Sequence, residues 1–426
     1  MRANGPLHGV RVIDLTTAWA GPFAGRVLAN LGADVIHVEA ATRLDLWRGG
    51  GHAIDPIRFP DEDPGERPWN RTVLFNSQNI NKRSLTVDVK KPGGLDVMLR
   101  LVAESDVLLV NFTPGTLQRM GLGYDVLRAA RPDIIVAEMP AFGNSGPMAG
   151  HGGLGPSMEF AAGMGVLVGY GDGAPFPTGP AYLDPVGGYN AAAAVLTALI
   201  HRQATGEGQL VEISQVEAAM PLIGEIILAA METGVDPQPE GNRVPTACPH
   251  DVFTCSGQEA WVAIAVTSND EWQAFCGAIG RPDLVADARF SDCAARKANE
   301  DELAVEINAW TSQRDKHAAA ALLQAHGVPA APVQHGKDLA GDPYLHERGF
   351  YTELEHKEAG RHAYQGLPFH FSDTPAGQRT ASPILGEHTE MILQELGYSA
   401  NEIAQLAAAG TTSAVPAPPA PREPRK

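Results

Sequence analysis

The stretch RVIDLTTAWAGPFAGRVLANLGADVIHVE, residues 11–39, decides the fold of this protein. Its first five residues form a short apolar run, which is typical of a buried strand, and its last six predict a second strand. The residues between them predict a helix that Gly21 and Pro22 open and Gly32 ends. A strand, a helix and a second strand form a βαβ unit, which implies parallel strands and a right-handed crossover.

The same alternation recurs along the next 175 residues of the chain. Helices are predicted at 93–103, within 117–130 and from Asp184 to about residue 205. Further strands are predicted at 85–89, 106–111, 133–138 and 209–214. Repeated alternation of this kind predicts an α/β fold with a doubly wound, Rossmann-like large domain.

The character of the sequence changes after about residue 230, and it changes again after about residue 335. A strand at 260–266 and several short helices predict a smaller α+β domain, and a Pro-rich connector at 326–333 ends it. Beyond it, an alternating segment predicts antiparallel strands, and two helices follow. We therefore expect the following division: 1–230, first part of the large α/β domain; 231–335, small α+β domain; 336–410, a return segment; 411–426, a disordered tail rich in Pro and Ala.

Composition excludes several functional classes. The 426-residue chain has a formal net charge of −18, which argues against nucleic acid as a partner because binding to phosphates needs clustered Lys and Arg. The first ten residues contain no apolar core of a signal peptide, and the longest apolar run, 191–200, is about half of what spans a bilayer. We therefore expect a cytoplasmic protein with no membrane partner. Four cysteines without a Cys-x-x-Cys pair predict no metal site.

A nicotinamide cofactor is disfavoured by the turn after the first strand. A dinucleotide site would need the G-x-G-x-x-G fingerprint there, and the turn offers only Gly21 and Gly25. Glu39 ends the second strand, where such a site would have an acid. It is then either a structural acid or a contact to another ligand, and a nicotinamide-dependent oxidoreductase remains only a remote alternative.

A polar segment follows the strand at 106–111, at the sheet edge where open α/β folds bind ligands. Asn111, Phe112, Thr113 and Arg119 could hydrogen-bond to a ligand, stack on an adenine ring and pair with a phosphate. The alternative is a simple turn, since Pro114 and Gly115 after a strand form one without any ligand. The pattern alone does not decide between the two.

Asp184 stands at the start of the long helix and has two interpretations. Asp is a favoured N-cap and proline is favoured directly after it, so the pair Asp184–Pro185 could simply open the helix. Gly187 and Gly188 resist that interpretation, because each glycine in a helix costs about 1 kcal/mol relative to alanine. Glycines there would make sense if a bulky ligand approached the helix closely.

Taken together, the chain resembles the class III CoA-transferases, which include the formyl-CoA, carnitine and bile-acid types and the α-methylacyl-CoA racemases. The motifs that carry the resemblance are L-x-G-x-R-V-I-D-L (7–15), A-G-P through D-V-I-x-V-E (20–39), N-K-R-S-x-x-x-D-x-K (81–90), N-F-x-P-G-x-x-x-R-M-G (111–121), F-G-x-S-G-P (142–147), T-G-E-G-Q-x-V-E-I-S (205–214), H-G-V-P-A-A-P-V (326–333) and L-G-E-H-T (385–389).

The resemblance implies the following functional residues. Asp184 matches the catalytic nucleophile of the family. The basic residue that often follows the second strand is Ala40 here, and Arg43 is expected to replace it. CoA-binding residues are expected at Ala20, Arg43, Lys90, Asn111, Phe112, Thr113 and Arg119, and the substrate pocket at Trp19, Gly155, Glu159, Gly187 and Gly188.

The resemblance also implies the reaction and the assembly. The activity would be transfer of CoA from an acyl-CoA thioester to a free carboxylic acid, through an aspartyl anhydride and an aspartyl-CoA thioester. Coenzyme A would then be part of a substrate, and no cofactor would be bound permanently. The fold would be a large domain built from both chain ends with the small domain inserted, and two chains would interlock as a homodimer.

Two related activities are alternatives: an α-methylacyl-CoA racemase and an intramolecular CoA-transferring isomerase. In racemases of the family, a second base stands in a Gly-His-Asp stretch shortly after the Gly-Pro that corresponds to residues 146–147. Leu154 occupies that position here and cannot move a proton, and His151 stands three residues earlier. The sequence therefore favours the transferase.

Overall fold

The computed structural model describes residues 5–49, 55–171, 173–236 and 238–417. Its strands, in chain order, are β1 (Arg11–Asp14), β2 (Asp34–Glu39), β3 (Arg83–Thr86), β4 (Val107–Val110), β5 (Ile135–Glu138), β6 (Leu210–Glu212), β7 (His250–Thr254), β8 (Trp261–Ala265), β9 (Ala330–Pro332), β10 (Tyr351–His356) and β11 (Gly360–Gln365).

The α-helices among the described residues follow in the same way. They are α1 (Ala20–Asn30), α2 (Val73–Gln78), α3 (Gly94–Ala103), α4 (Thr116–Arg119), α5 (Tyr124–Ala130), α6 (Gly155–Ala161), α7 (Leu183–Thr205), α8 (Gln215–Ala219), α9 (Gly224–Thr233), α10 (Asn269–Ala278), α11 (Asp283–Ala286), α12 (Cys293–Ala298), α13 (Glu300–Thr311), α14 (Lys316–Ala325), α15 (Gly336–Ala340), α16 (Pro343–Glu347), α17 (Thr389–Glu395) and α18 (Ala400–Ala408).

The first six strands form one parallel sheet in the order β3-β2-β1-β4-β5-β6. The predicted α/β fold with a large parallel sheet is thus confirmed, and each of the six strands was expected. The strand predicted at 85–89 begins earlier, at Arg83, because the ladder with β2 starts at the pair Ile36 and Arg83. The order reverses between β1 and β4, so their carboxyl ends flank a crevice of the kind that binds ligands in open α/β sheets.

Alternate residues of the two central strands feed two separate cores, one on each face of the sheet. Val12 and Leu109 pack on one face in a cluster that takes in residues from α1 and α7. Ile13 and Leu108 pack on the other face, where residues of α3 complete the core. Both faces are apolar because helices cover both sides of a parallel sheet, so residues that point to either face are buried.

Residues near the carboxyl end of the chain complete the second of these cores. Ile392 and Leu393 from α17 and Leu406 from α18 are buried in it. The capping box predicted for α18 is present, since the Ser399 side chain accepts from the Glu402 N–H and the Glu402 carboxylate from the Ser399 N–H. β10 and β11 pair as an antiparallel hairpin, as the alternation over 349–371 predicted.

Part of the tail that was predicted to be disordered lies against the folded chain. Thr411 is 2% exposed, its carbonyl accepts from the Asp88 N–H and its hydroxyl donates to the Pro92 carbonyl. Ala417 N–H donates to Ala41. Residues 411–417 therefore lie against the segments that follow β2 and β3, and residues 418–426 lie outside the described residues.

The chain divides into two compact units. The larger takes in the described residues of 1–165, 177–235 and 347–426, and the smaller those of 166–176 and 236–346. The segments 166–176 and 336–346, which we expected in the large domain, thus group with the small one. Short-range sequence patterns could not indicate this, because the grouping depends on contacts such as that between Gly241 and Gly169.

The smaller unit has its own sheet and its own core. β7, β8 and β9 form an antiparallel sheet, with Phe253, Val262 and Trp272 among its buried residues. β9 lies inside the predicted Pro-rich connector at 326–333, where Ala330 pairs with Ile264. The prediction of an irregular connector was therefore wrong for residues 330–332. Pro332 fits there because β9 is an edge strand, where proline is tolerated.

Helix α7 is long and apolar enough to cross a membrane by length and composition alone. Its residues Ala191, Val195 and Ala198 are buried against the sheet core instead, at the spacing of one helix face. A core helix of a folded domain passes the same test of length and composition.

Candidate active site

The crevice between β1 and β4 is lined by the loops that follow these strands. Asn111, directly after β4, binds the loop after β1 in both directions: its Oδ1 accepts from the Thr17 N–H at 2.9 Å, and its Nδ2 donates to the Thr17 carbonyl at 2.8 Å. Asn111 was predicted as a CoA contact. In the structure it fixes the β1–α1 loop (residues 15–19) through these two hydrogen bonds.

Asp184 lies in the first turn of α7, at its second residue, and is half-buried. The prediction that it is the N-cap was wrong, because Tyr182 holds that position and no side chain caps the helix. The start of a second helix acts on the carboxylate instead, since the N–H of Ala20, the first residue of α1, lowers the pKa of Asp184. Two helix N-termini thus point partial positive charge at one carboxylate.

Burial nevertheless raises the pKa of Asp184 to about 6. The negative charge of Glu159 adds to this rise, and the hydrogen bond from the Ala20 N–H opposes it. The positive end of the α7 dipole acts in the opposite direction and favours the ionised form. Desolvation outweighs it, and a carboxyl group with a pKa of about 6 is still mostly ionised at neutral pH.

Glu159 was predicted in the substrate pocket and is fully buried instead. Its carboxylate accepts three hydrogen bonds: from the Thr178 N–H at 2.7 Å, from the Thr178 hydroxyl at 3.0 Å and from the Tyr182 N–H at 2.6 Å. It therefore ties α6 to the segment that leads into α7. Its role is to fix where α7 begins, and through its charge it also acts on Asp184.

Gly155, the first residue of α6, lies against the Asp184 carboxylate. A β-carbon at this position would come within 2.3 Å of Asp184 Oδ2 and of the Ala181 β-carbon. The prediction that Gly155 belongs to the site agrees with this contact. Nearby, Leu154 is 66% exposed, and His151 is exposed with a ring nitrogen 3.2 Å from the Met148 carbonyl.

Gly187 and Gly188 were predicted to leave room for a substrate, but they pack against protein. A β-carbon at Gly188 would lie 2.7 Å from the Ala20 carbonyl oxygen and 2.8 Å from the Phe23 ring. At Gly187 it would lie 3.0 Å from the Gln215 side chain. These glycines let α7 approach α1 and α8 closely, which explains their presence in a helix without any ligand.

Trp19 precedes α1 and was predicted to shape the acyl pocket. Its ring lies 5.5 Å from the ring of Trp47, centroid to centroid, so the two indoles form one aromatic pair. Asp45, which sequence reasoning missed, supports both: it accepts from the Trp47 N–H at 2.6 Å and from the Ala18 N–H at 2.8 Å. Burial raises its pKa to about 6. A local signal could have found it, because an Asp side chain often accepts from the N–H two residues further on and so begins a turn.

The exposed residues predicted to hold CoA fall into two groups. Arg119 and Thr113 are exposed after β4, and both side chains contact the Thr116 hydroxyl. Arg43 and Lys90 are exposed near the ends of β2 and β3. Asp88 brings these two segments together, because it accepts from the Thr42 hydroxyl at 2.7 Å and from the Lys90 N–H at 2.9 Å. Phe112 is partly buried against the second core.

Glu39, for which the sequence left two interpretations open, is a structural acid. Its two oxygens accept from the buried Arg48 guanidinium at 2.7 and 3.0 Å, and that guanidinium also lies 3.4 Å from the Phe75 ring centroid. Within the described ranges, no group of three or more His, Cys, Asp or Glu side chains could hold a metal ion.

Comparison with known proteins gives one consistent result. The sequence profile described as CoA-transferase family III matches residues 7–389. A succinyl-CoA:mesaconate CoA-transferase from Haloarcula hispanica is 33% identical over 92% of this chain and 97% of its own length. A formyl-CoA:oxalate CoA-transferase from Escherichia coli O157:H7 is 32% identical over 94% and 98%. The crystal structure of a CaiB/BaiF family protein from Brucella suis superposes with a TM-score of 0.83 at 31% identity, covering 92% of this chain and 100% of that one.

Proposed function

The chain belongs to CoA-transferase family III and is a CoA-transferase, and we propose that it moves CoA from an acyl-CoA thioester to a free carboxylic acid through covalent intermediates on Asp184. The observation that carries the proposal is the position of the Asp184 carboxylate. It is half-buried at the start of α7, the Ala20 N–H at the start of α1 acts on it, and it lies against Gly155, which has no side chain.

The reaction proceeds in two halves that mirror each other. A carboxylate oxygen of Asp184 attacks the thioester carbonyl carbon, the C–S bond breaks and the CoA thiolate leaves, which gives a mixed anhydride. The thiolate then attacks the Asp184 carboxyl carbon, releases the first acid and forms an aspartyl-CoA thioester. The acceptor carboxylate repeats these steps in reverse, so Asp184 ends as a free carboxylate. Covalent catalysis thus divides one difficult exchange into easier steps.

The geometry favours each step electrostatically. The attacking group must be ionised, and a pKa of about 6 leaves it so at neutral pH while burial keeps it weakly solvated and reactive. The Ala20 N–H lies at the start of α1, where it can donate to negative charge that develops on the Asp184 carboxyl oxygen during thiolate attack. A fixed donor of this kind needs no rearrangement when the charge appears.

CoA itself is bound, in this proposal, across the crevice between β1 and β4. Arg119, Arg43 and Lys90 are exposed cations near its rim, suited to the phosphate groups. Phe112, which is only partly buried, is the aromatic side chain that would contact the adenine. Trp19 in the β1–α1 loop and Ala20 at the start of α1 then contact the pantetheine end beside Asp184. No permanently bound cofactor is needed for this chemistry.

The first substrates to test are short acids. The relatives named above act, by their names, on succinyl-CoA with mesaconate and on formyl-CoA with oxalate. Both acceptors are small dicarboxylates. The paired indoles of Trp19 and Trp47 are bulky groups that favour a short acyl chain in the same region.

We also propose the interlocked homodimer, with the large domain built from both chain ends, and a cytoplasmic location. Helix α9 is apolar but has no buried residue: Leu228 is 62% exposed and Met231 78%. Apolar groups clustered on a surface are typical of an interface. Free, buried thiols at Cys248 and Cys255 suit a reducing compartment. Light scattering of the purified protein should give the mass of a dimer.

The activity is tested with purified protein, a panel of acyl-CoA donors and free acids, and mass spectrometry of both CoA products. We expect transfer that depends on the acceptor acid and is abolished in Asp184→Asn. Hydrolysis alone, or an active Asp184→Asn variant, would contradict the proposal. Deuterium uptake at the α-carbon in D₂O without acceptor would indicate the racemase instead. Migration of CoA within a dicarboxylic acyl-CoA without a second substrate would indicate the isomerase.

A further inference from the structure

We propose that the buried ion pair between Lys82 and Asp14 is a positioning device that holds the β1–α1 loop, and through it the Ala20 N–H, in place beside Asp184. The hydrogen bonds of these two side chains go to residues other than Asp184. Their role would be to fix the Ala20 donor that acts on Asp184. This inference rests on the proposed function of Asp184, and its test contains one measurement that is independent of activity.

Lys82 holds the far end of the loop. Its ammonium group is fully buried and donates three hydrogen bonds, each at 2.8 Å: to Asp14 Oδ2, to Asn79 Oδ1 and to the carbonyl oxygen of Pro22. Pro22 belongs to the first turn of α1, two residues after Ala20. All three ammonium hydrogens are thereby used, and one of them fixes the start of α1.

Asp14 holds the near end of the loop. It is the last residue of β1 and is fully buried. Its Oδ1 accepts from the Thr16 N–H at 3.0 Å and from the Thr16 hydroxyl, while its Oδ2 accepts from Lys82. One ion pair therefore anchors the loop on both sides, at Thr16 and at Pro22.

The residues between these anchors are held as well. Asn111 binds Thr17 and Asp45 binds Ala18, whose φ of 63° is a left-handed conformation that alanine rarely adopts. A strained residue persists only when its surroundings hold it firmly. The loop is thus fixed from both ends and at two points in its middle, directly before the Ala20 N–H that lowers the pKa of Asp184.

The ion pair is an unusual choice if stability were its only role. Burying two charges carries a desolvation cost, and apolar residues of similar volume often serve a core equally well. The surroundings are shaped to the pair, since a β-carbon on Gly25 would lie 2.7 Å from Asp14 Oδ2 and 3.1 Å from Lys82 Nζ. His37 Nδ1 lies 3.2 Å from the same oxygen. An apolar pair could not supply the hydrogen bonds that anchor the loop at Thr16 and at Pro22.

Asp14 does not titrate in the range in which Asp184 does. Burial by itself raises the pKa of Asp14, but the charges of Lys82 and His37 outweigh burial and hold that pKa well below its usual range. Burial lowers the pKa of Lys82, and Asp14 and Asp45 oppose this while Arg26 adds to it. The charged neighbour acting on Asp184 is Glu159. A pH profile near 6 therefore reports on Asp184 and on Asp45, whose pKa burial also raises to about 6.

The test is the double variant Asp14→Leu/Lys82→Met, which removes both charges together and leaves none unpaired. We expect a folded protein whose kcat is lower by about tenfold or more, because small misplacements of a reacting group reduce rates strongly. The acid limb of kcat/KM should move to higher pH, since the Ala20 N–H no longer lowers the Asp184 pKa. The matched control is Asp338→Leu/Lys316→Met, a Lys–Asp ion pair of the smaller unit, which should leave both readouts unchanged.

Hydrogen exchange of the peptide covering residues 15–22 supplies the measurement that does not need activity. Faster exchange in the double variant, and not in the control, supports the positioning role even if the wild-type protein transfers no CoA, in which case the proposed function fails and the loop inference stands. Wild-type exchange together with a wild-type pH profile would overturn it. If the double variant does not fold, the isosteric Thr16→Val variant removes one anchor and must move both readouts in the same direction; no movement would overturn the inference.

Discussion

The α-carbon of Gly155 lies so close to Asp184 that a β-carbon on it would come within 2.3 Å of the carboxylate oxygen Oδ2. The start of α6 therefore forms one wall of the space in which the carboxylate sits. The other walls are α7 itself and the start of α1, which supplies the Ala20 N–H. Together, α6, α7 and α1 limit the directions from which a thioester carbonyl can reach Asp184.

Gly155→Ala should lower both activity and stability. The added methyl meets the Ala181 β-carbon as well as Asp184, and overpacking of this kind costs about 1–3 kcal/mol. Thermal unfolding and kcat measure the two effects. Gly150→Ala is the matched control, because Gly150 has no atom within 4 Å of the added carbon. Wild-type kcat in Gly155→Ala would show that the site tolerates a shifted carboxylate.

Gly188→Ala tests whether the glycines of α7 serve packing. The added carbon meets the Ala20 carbonyl at 2.7 Å, a backbone atom that cannot turn away, so we expect a loss of about 1–3 kcal/mol of unfolding free energy. Gly277→Ala in α10 is the control: it has open space, and alanine in a helix should stabilise by about 1 kcal/mol. Equal stability of Gly188→Ala and wild type, with a changed substrate range, would restore the pocket interpretation.

Asp184→Asn should be inactive and yet more stable than wild type at neutral pH. The folded pKa of about 6 lies above the unfolded value of about 4, so the native state binds more protons between these pH values. The ionised group therefore costs stability fully above pH 6, and the cost disappears below about pH 4. Melting temperatures at pH 4 and pH 7.5 measure it.

Asp14→Asn is the control of opposite sign for that experiment. Lys82 and His37 hold the pKa of Asp14 well below its usual range against the effect of burial. Its ionised form therefore stabilises the native state at neutral pH, and the asparagine variant should melt lower than wild type there. An Asp184→Asn variant that also melts lower at pH 7.5 would contradict the desolvation that we assign to Asp184.

Arg119→Ala should raise the KM for acyl-CoA by about tenfold with little change in kcat, because a lost charge-assisted hydrogen bond to a phosphate weakens binding uniformly. Arg128→Ala, an exposed arginine on α5, is the matched control. With a pantetheine thioester, which lacks the nucleotide, wild type and Arg119→Ala should have the same KM. A difference that persists with pantetheine would mean that Arg119 acts elsewhere.

The sequence was sufficient for the parts of this protein that depend on local patterns. Alternating strands and helices predicted the parallel sheet, and Ser399 with Glu402 predicted the start of α18. The family motifs predicted the family, which the sequence profile confirms. Each of these signals spans few residues or recurs at a fixed spacing.

The remainder depends on contacts between distant residues, which no local pattern records. Lys82 is 68 residues from Asp14, and Asn111 is 94 from Thr17. Gly188 seemed to mark a ligand because the neighbouring α1 cannot be seen in the sequence. Likewise, Glu159 seemed to be a pocket residue because its three donors come from residues 178 and 182.

The most direct test of the account is chemical trapping of Asp184. The protein is incubated with an acyl-CoA donor, treated with borohydride and digested, and the peptide that contains residue 184 is sequenced by mass spectrometry. We predict reduction of Asp184 to homoserine, only with acyl-CoA present and at no other carboxylate, because the aspartyl-CoA thioester is reducible and a free carboxylate is not. An unmodified Asp184 in protein that is actively transferring CoA, or the same modification at another residue, would contradict the account.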